Sequence, residues 1–176
     1  VFDEVGVRFA HEVHPSEIAY DYWTTRRTLE AIGSRPAFGL NWDPSHFMWQ
    51  DLDPVAFILE FSDRIYHVDC KDVKLNVGNG RNGRLGSHLA WADLRRGWDF
   101  VSTGHGDVPW EQSFRALNAI GVVSEVLTAR GEQLPLPPQG TVTEADRHER
   151  GLEIQRELYG DEIADALAGL PGGFAE

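Results

Sequence analysis

The sequence lacks several features that would identify whole classes of protein. It has a single cysteine, Cys70, among 176 residues, which excludes an intrachain disulfide. Its apolar runs stay well short of the roughly 18 residues that cross a bilayer. The N-terminal VFDEVGVRF does not have the basic-then-apolar order of a signal peptide. These absences argue against a membrane or secreted protein and predict a cytoplasmic one.

Positive charge is also scarce. The chain carries 28 Asp and Glu against 16 Lys and Arg, a formal net charge of −12. Phosphate contacts need clustered basic side chains, and this balance repels a polyanion. A nucleic-acid partner is therefore not expected. The hydrophobic fraction of 41% predicts a globular domain with a sizeable core.

Short β-rich stretches alternate with helical patterns in the first 127 residues. The β-rich stretches are residues 5–13, 37–43, 65–70 and 121–127. The helices between them are expected to begin at Ser16, at Asp53-Pro54 and at Asp107. This alternation predicts parallel βα units, either in a doubly wound sheet or in part of a (β/α)₈ barrel.

Two segments depart from this pattern. Residues 74–104 contain six glycines and no sustained apolar period, which predicts an irregular excursion over the strand ends that shields the site without adding to the sheet. Residues 128–141 are a proline-rich linker, and residues 142–176 are an acidic helical tail that begins with a T-x-x-E capping box. The predicted organisation is a partial barrel over residues 1–127, the linker, and a separate tail without catalytic groups.

Polar side chains recur at the carboxyl ends of the first three strands. They are Glu12 and His14, Asn41 and Asp43, and His67 and Asp69. The site of a parallel βα protein lies at this edge, so Glu12, Asp43 and His67 are expected to converge there. Two carboxylates and an imidazole suit a divalent ion such as Mn²⁺, Mg²⁺, Co²⁺ or Zn²⁺. The alternative is a hydrogen-bond network at the barrel mouth, with Asp43 capping the following loop.

For three neighbouring residues, a functional interpretation is weighed against a structural one. His46 either contacts a substrate oxygen above the metal or packs among the aromatic residues beside it. Lys71 either neutralises an enediolate or a phosphate, or belongs to an exposed loop pair with Asp72. Cys70 is expected to be a small buried hydrophobic residue and not a nucleophile.

Several motifs carry a family resemblance. They are FAHEVHP with Glu12, NWDPSHF with Asp43 and His46, YHVDCKD with His67, and GHGDVPW at 104–110. Together they resemble the sugar phosphate isomerase/epimerase family of xylose isomerase-like TIM barrels, over about residues 1–120. The spacings of 31 residues from Glu12 to Asp43 and 24 from Asp43 to His67 suit successive βα units. The resemblance implies an α/β fold: the later half of a (β/α)₈ TIM barrel with parallel strands, followed by a short α-helical tail.

The resemblance also implies a function. It suggests a metal-dependent isomerase or epimerase that moves a proton next to a carbonyl of a small sugar or polyol, with the metal polarising the oxygens. The implied metal ligands are Glu12, Asp43, His67 and, as the candidate for the fourth, Glu125. The implied catalytic residues are Glu12 and His46. Substrate contacts are expected from His14, His46, Lys71 and Arg96, and the excursion over residues 74–104 offers Arg84 and His88 as further candidates.

Other interpretations remain open. The sequence lacks the first four βα units of a complete barrel, so it is also compatible with a catalytically inactive fragment or an association module whose sheet edges pair with another copy in a homo-oligomer. The endonuclease branch of the superfamily uses a similar metal cluster, but the chain has no basic stripe. Residues 142–170 resemble the N-terminal helices of the carboxymuconolactone decarboxylase family, or form an acidic helix pair used for association.

Overall fold

The computed structural model describes residues 1–76, 81, 83–85, 89–91, 93–122, 149–151, 153 and 156. The helices with assigned bounds are α1 (Phe2–Val5), α2 (Tyr22–Ala31), α3 (Pro44–Met48), α4 (Pro54–Glu60) and α5 (Trp110–Ala119). The strands are β1 (Phe9–Glu12), β2 (Phe38–Trp42), β3 (Ile65–Val68), β4 (Asp72–Leu75) and β5 (Trp98–Val101). Helices α1 and α3 were not expected from the sequence.

The first three strands form one parallel sheet in the order β1-β2-β3. Glu12 at the end of β1 pairs with Asn41 of β2, and a shift in register after Leu40 pairs Asn41 with His67 of β3. The predicted parallel βα arrangement is confirmed. The carboxyl ends of all three strands therefore lie at one edge of the sheet.

The side chains of β2 alternate between a helix-covered face and an inner face. Leu40 and Trp42 are fully buried in the core, against Phe57 and Ile58 of α4 among others. Asn41 lies on the other face, and so does Gly39, where a Cβ would overlap the ring of Tyr66. Burying several large aromatic and aliphatic side chains is what holds the helices on the sheet. The inner face is the one that carries the polar strand ends.

Two helices begin elsewhere than the sequence suggested. Helix α2 starts at Tyr22, because Asp21 and Thr24 form a reciprocal capping box, while Ser16 has a φ of 80° that an N-cap residue does not adopt. Helix α5 starts at Trp110 without a side-chain cap, because the carboxylate of Asp107 accepts hydrogen bonds from Lys74 Nζ and the Leu75 N–H instead. The Asp53-Pro54 start of α4 is confirmed.

The excursion over residues 74–104 is more ordered at its ends than expected. Strands β4 and β5 pair antiparallel, with Leu75 opposite Trp98, as a separate two-stranded sheet. The sequence WDFV has the period-2 alternation of a strand, which places Trp98 and Phe100 on the same face. The described residues of the excursion therefore add no strand to the parallel sheet, but the prediction of irregular structure was wrong for its two ends.

Part of the predicted tail packs on the barrel segment. Residues 149–151 are helical, and Gly151 is buried so closely against α4 that a Cβ would collide with the carbonyl of Leu59 and the hydroxyl of Ser62. This helical part of the tail therefore contacts the barrel segment. The rest of the last predicted strand, the linker and most of the tail lie outside the described residues. None of the helices in the described part has the length and apolar character needed to cross a membrane.

Candidate active site

Glu12, Asp43 and His46 meet at the carboxyl edge of the parallel sheet. Glu12 is the last residue of β1, Asp43 follows β2 directly, and His46 lies in the short helix α3. Nε2 of His46 is 3.3 Å from Oε1 of Glu12 and 3.3 Å from Oδ2 of Asp43. One donor atom from each of the three residues lies within 4.8 Å of the others, a spacing that suits a shared metal ion.

Asp43 has two carboxylate oxygens with different surroundings. Oδ1 caps α3 by accepting hydrogen bonds from the N–H of Ser45 at 2.9 Å and from its hydroxyl at 2.6 Å. Oδ2 is buried and has no well-directed hydrogen bond. Burial alone would raise the pKa of Asp43, but His46, Ser45 and the charge of Lys71 outweigh it and lower the pKa. The side chain is therefore an ionised carboxylate whose second oxygen can pair with a cation. The alternative interpretation, in which Asp43 caps the following segment, is also correct, and Oδ1 is the oxygen that caps.

His46 is oriented by Trp49, one helical turn further on. The indole N–H of Trp49 donates to Nδ1 of His46 at 3.4 Å, and an indole nitrogen can only donate. Nε2, on the other side of the ring, faces both carboxylates and is approached by Nζ of Lys71, which like the indole nitrogen can only donate. The ring of His14 packs edge-on against His46 at 4.2 Å. His46 therefore makes both packing and polar contacts at the site.

Lys71 reaches the same cluster from the segment before β4. Its Nζ is 3.2 Å from Oδ2 of Asp43, 3.1 Å from Nε2 of His46 and 4.2 Å from the centre of the Phe100 ring. The ammonium thus faces both the buried oxygen of Asp43 and the imidazole of His46. Lys71 is therefore part of the cluster, and the exposed-loop interpretation is wrong.

His67 is not drawn into this group. It pairs with Asn41, as Glu12 does from the opposite side, so it lies on the same inner face, with two strand spacings between it and Glu12. Its side chain is 61% exposed, and its nearest acidic neighbour is Asp69 at 3.4 Å. The structure brings Glu12 and Asp43 together as expected, with His46 in the position where the sequence suggested His67. The remaining proposed ligand, Glu125, lies outside the described residues.

A cavity of about 430 Å³ opens above the cluster. Its polar lining includes Glu12, His14, His46, Lys71 and Arg84, and its aromatic lining is Trp49, Trp91, Trp98 and Phe100. The indoles of Trp49 and Trp98 stack at 5.1 Å and are nearly parallel. The excursion thus supplies much of the cavity wall, as its position over the strand ends predicted. The alternating strand pattern of WDFV is the sequence signal that could have identified Trp98 and Phe100 as cavity-lining residues.

Arg96 does not have the substrate-binding position that we expected. It is buried, donates to the carbonyls of Leu89 and Trp98, and stacks its guanidinium on Trp91 at 4.0 Å. Arg96 therefore stabilises the excursion through these internal contacts. The arginine that lines the cavity is Arg84. His88 lies outside the described residues.

Asp72 is a buried carboxylate whose role the sequence did not reveal. It accepts hydrogen bonds from the backbone N–H groups of Gly104, Gly106 and Val108 and from the indole of Trp110. A Cβ at Gly106 would collide with this carboxylate. Asp72 therefore shapes the GHGDVPW loop. Cys70, in contrast, is exposed at the surface, and partial desolvation and the neighbouring Asp69 raise the pKa of its thiol. The expectation that Cys70 is buried was wrong.

Comparison with known proteins agrees with the fold. The sequence model of the family described as "Xylose isomerase-like TIM barrel" matches residues 1–157, and the chain belongs to this family. It is 31% identical over 138 residues to "Uncharacterized protein YfiH" of Bacillus subtilis (strain 168). That alignment covers 77% of this chain and 43% of the relative, so the chain spans less than half the length of the curated protein that it matches.

Proposed function

We propose that this chain carries the catalytic edge of a metal-dependent isomerase or epimerase that acts on a small hydroxy-carbonyl compound, such as a sugar or polyol. The observation that carries the proposal is the buried Oδ2 of Asp43, a charged oxygen without a directed hydrogen bond that faces Glu12 and His46 beneath a cavity. A buried anionic oxygen in this state is stabilised by a cation. The family is consistent with this function, since it includes sugar isomerases and epimerases as well as endonucleases.

The residues present fit a divalent ion. Glu12 and Asp43 offer carboxylate oxygens, and His67 lies on the same inner face, with a side chain exposed enough to turn toward them. Glu125 stays the candidate for a fourth ligand. Oxygen donors with an imidazole suit Mn²⁺, Mg²⁺, Co²⁺ or Zn²⁺. When bound, such an ion polarises the carbonyl and hydroxyl oxygens of the substrate and makes the adjacent C–H more acidic.

The chain's own groups supply proton transfer and positioning. Glu12 is 42% exposed toward the cavity and is the base that removes the proton from the carbon beside the carbonyl. His46 contacts a substrate oxygen through Nε2, the ring nitrogen that faces the cluster, while Trp49 donates to its Nδ1 and orients the ring. The ammonium of Lys71 stabilises negative charge that develops on the substrate oxygen. The aromatic walls exclude water and pack against the apolar C–H faces of the substrate.

Two measurements test the proposal in the full-length protein. Isothermal titration with Mn²⁺ should show about one site, which Asp43→Asn removes and the exposed control Glu111→Gln preserves. Incubation of hydroxy-ketones and aldoses in D₂O should then give metal-dependent deuterium incorporation beside the carbonyl, visible by NMR, that Glu12→Gln abolishes. Mn²⁺ binding that survives Asp43→Asn would show that the ion binds elsewhere, and the proposal would fail.

Association with a second copy is a further candidate property, because apolar side chains are exposed beside β1. Phe2, Val5, Val7 and Phe9 are each at least 43% exposed. In the described part of the chain, β1 pairs with β2 and with no other strand. An unpaired edge favours strand addition. Sedimentation of the wild type and of Phe9→Glu tests this: a dimer that Phe9→Glu dissociates supports a homo-oligomer, and a concentration-independent monomer contradicts it.

A further inference from the structure

The ammonium of Lys71 occupies the position from which a cation neutralises Asp43. Its Nζ approaches Oδ2 of Asp43 at 3.2 Å, and this oxygen has no directed hydrogen bond. Asp43 itself is completely buried, whereas 39% of the Lys71 side chain is exposed. The carboxylate is thus fixed in place by its cap on α3, whereas the lysine side chain reaches it from the more exposed side.

A divalent ion bound to Oδ2 would stand next to this ammonium. Two cations a few ångströms apart repel each other, and the repulsion is screened least beside a buried group such as Asp43. The ion and Lys71 therefore compete for the same oxygen. The displaced side chain of Lys71 has space in the neighbouring cavity, since Lys71 lines this cavity and Nζ already lies 4.2 Å from the centre of the Phe100 ring.

We propose that Lys71 is a resident countercation of Asp43, which a divalent ion displaces from Oδ2 into the cavity above. The inference rests on the proposed metal site and adds a coupling to it. Lys71 stabilises the buried carboxylate when no metal is bound, and metal binding delivers its ammonium to the space where the substrate lies. Lys71 thereby positions a positive charge where the substrate lies.

The chain is well suited to a direct test because it contains two lysines, Lys71 and Lys74. Lys74 pairs with Asp107 and belongs to neither the cluster nor the cavity lining, so Lys74→Met is a matched control that removes the same charge. Titration with Mn²⁺ should show that Lys71→Met binds the ion about tenfold tighter or more, because the competing cation is gone. Lys74→Met should bind Mn²⁺ as the wild type does.

Lysine labelling of the wild type gives an independent readout. Acetylation at fixed pH, followed by mass spectrometry, should show that saturating Mn²⁺ increases the labelling of Lys71 and leaves that of Lys74 unchanged. This experiment needs no variant, so it decides the question even where Lys71→Met and Lys71→Gln do not fold by circular dichroism. Unchanged or reduced labelling of Lys71 in the Mn²⁺ complex would overturn the displacement.

The outcomes separate this inference from the proposed function. Equal or weaker Mn²⁺ binding by Lys71→Met, together with loss of binding in Asp43→Asn, would overturn the role of Lys71 and leave the metal site standing. Absence of Mn²⁺ binding in both the wild type and Lys71→Met would overturn both. Binding by Lys71→Met alone would support the competition in its strongest form.

Discussion

Removing the carboxylate of Asp72 tests whether one buried side chain shapes the loop between β5 and α5. Its two oxygens accept from the N–H groups of Gly104, Gly106 and Val108, at 2.8, 2.9 and 3.3 Å. The indole of Trp110 donates to it as well, at 2.9 Å. Replacement of Asp72 by Ala leaves these four donors without their acceptor.

The expected loss of stability follows from the number of these bonds. A hydrogen bond to a charged acceptor contributes about 1.5–3 kcal/mol, and four would nominally exceed 6 kcal/mol. Three of the four bonds are only partly buried, so water can replace part of what is lost. We therefore expect Asp72→Ala to lower the free energy of unfolding by about 3–5 kcal/mol. This is a large share of the total for a domain of ordinary stability.

Urea unfolding followed by tryptophan fluorescence measures this change, and its pH dependence checks the cause. Burial alone would raise the pKa of Asp72, but the donors from Trp110, Gly106, Val73 and Val108 prevail and lower it. A lowered folded-state pKa means that the carboxylate stabilises the fold above its ordinary pKa of 3.8, and that this contribution is lost as the pH falls through the folded-state pKa. The gap between wild type and Asp72→Ala should be full at pH 7 and shrink below about pH 4.

The control is Glu111→Ala on α5, which breaks an exposed pair with Arg115 and should change the unfolding free energy by no more than about 0.5 kcal/mol. A loss below about 1 kcal/mol for Asp72→Ala would refute the role given to this carboxylate. A gap that persists undiminished at pH 3 would refute its electrostatic origin.

Three further changes should have measurable effects. Gly106→Ala should destabilise the fold by about 2 kcal/mol or more in urea unfolding, since its Cβ would collide with the Asp72 carboxylate. Trp49→Phe keeps the aromatic ring but removes the indole N–H that donates to Nδ1 of His46, so ¹⁵N NMR should show a shifted Nδ1 resonance; an unchanged spectrum would contradict this hydrogen bond. Arg26→Met should cost about 3–5 kcal/mol by leaving Glu60 buried and unpaired, and adding Glu60→Met should recover part of that loss.

Much of the site was predictable because strand geometry is regular. A carboxylate directly after a buried strand, as at Asp43, must lie at the carboxyl edge of a parallel sheet, and Glu12 follows from the same rule. The pairing of His67 was less predictable. A shift in register after Leu40 pairs His67 with Asn41, and such irregularities depend on how neighbouring strands pack. His46 reached the cluster through a five-residue helix that the periodicity of the sequence did not reveal.

The sequence by itself determined the parallel βα order, the carboxyl-edge position of Glu12 and Asp43, and the start of α4 at Asp53-Pro54. These features depend on local periodicity and on side chains that bond to their own backbone, which neighbours along the chain are sufficient to specify.

Only the tertiary structure decided which groups contact Asp43 and which hydrogen bonds Arg96 and Asp72 make. Lys71, Trp49 and Phe100 gather around His46 through contacts between segments as many as 54 residues apart, counted from His46 to Phe100. The sequence suggested a substrate contact for Arg96 and an exposed loop position for Asp72, yet the fold buries both and satisfies them with carbonyl and N–H groups of other residues. Charge and composition do not reveal such partners, because burial and hydrogen bonding depend on the packing of the whole domain.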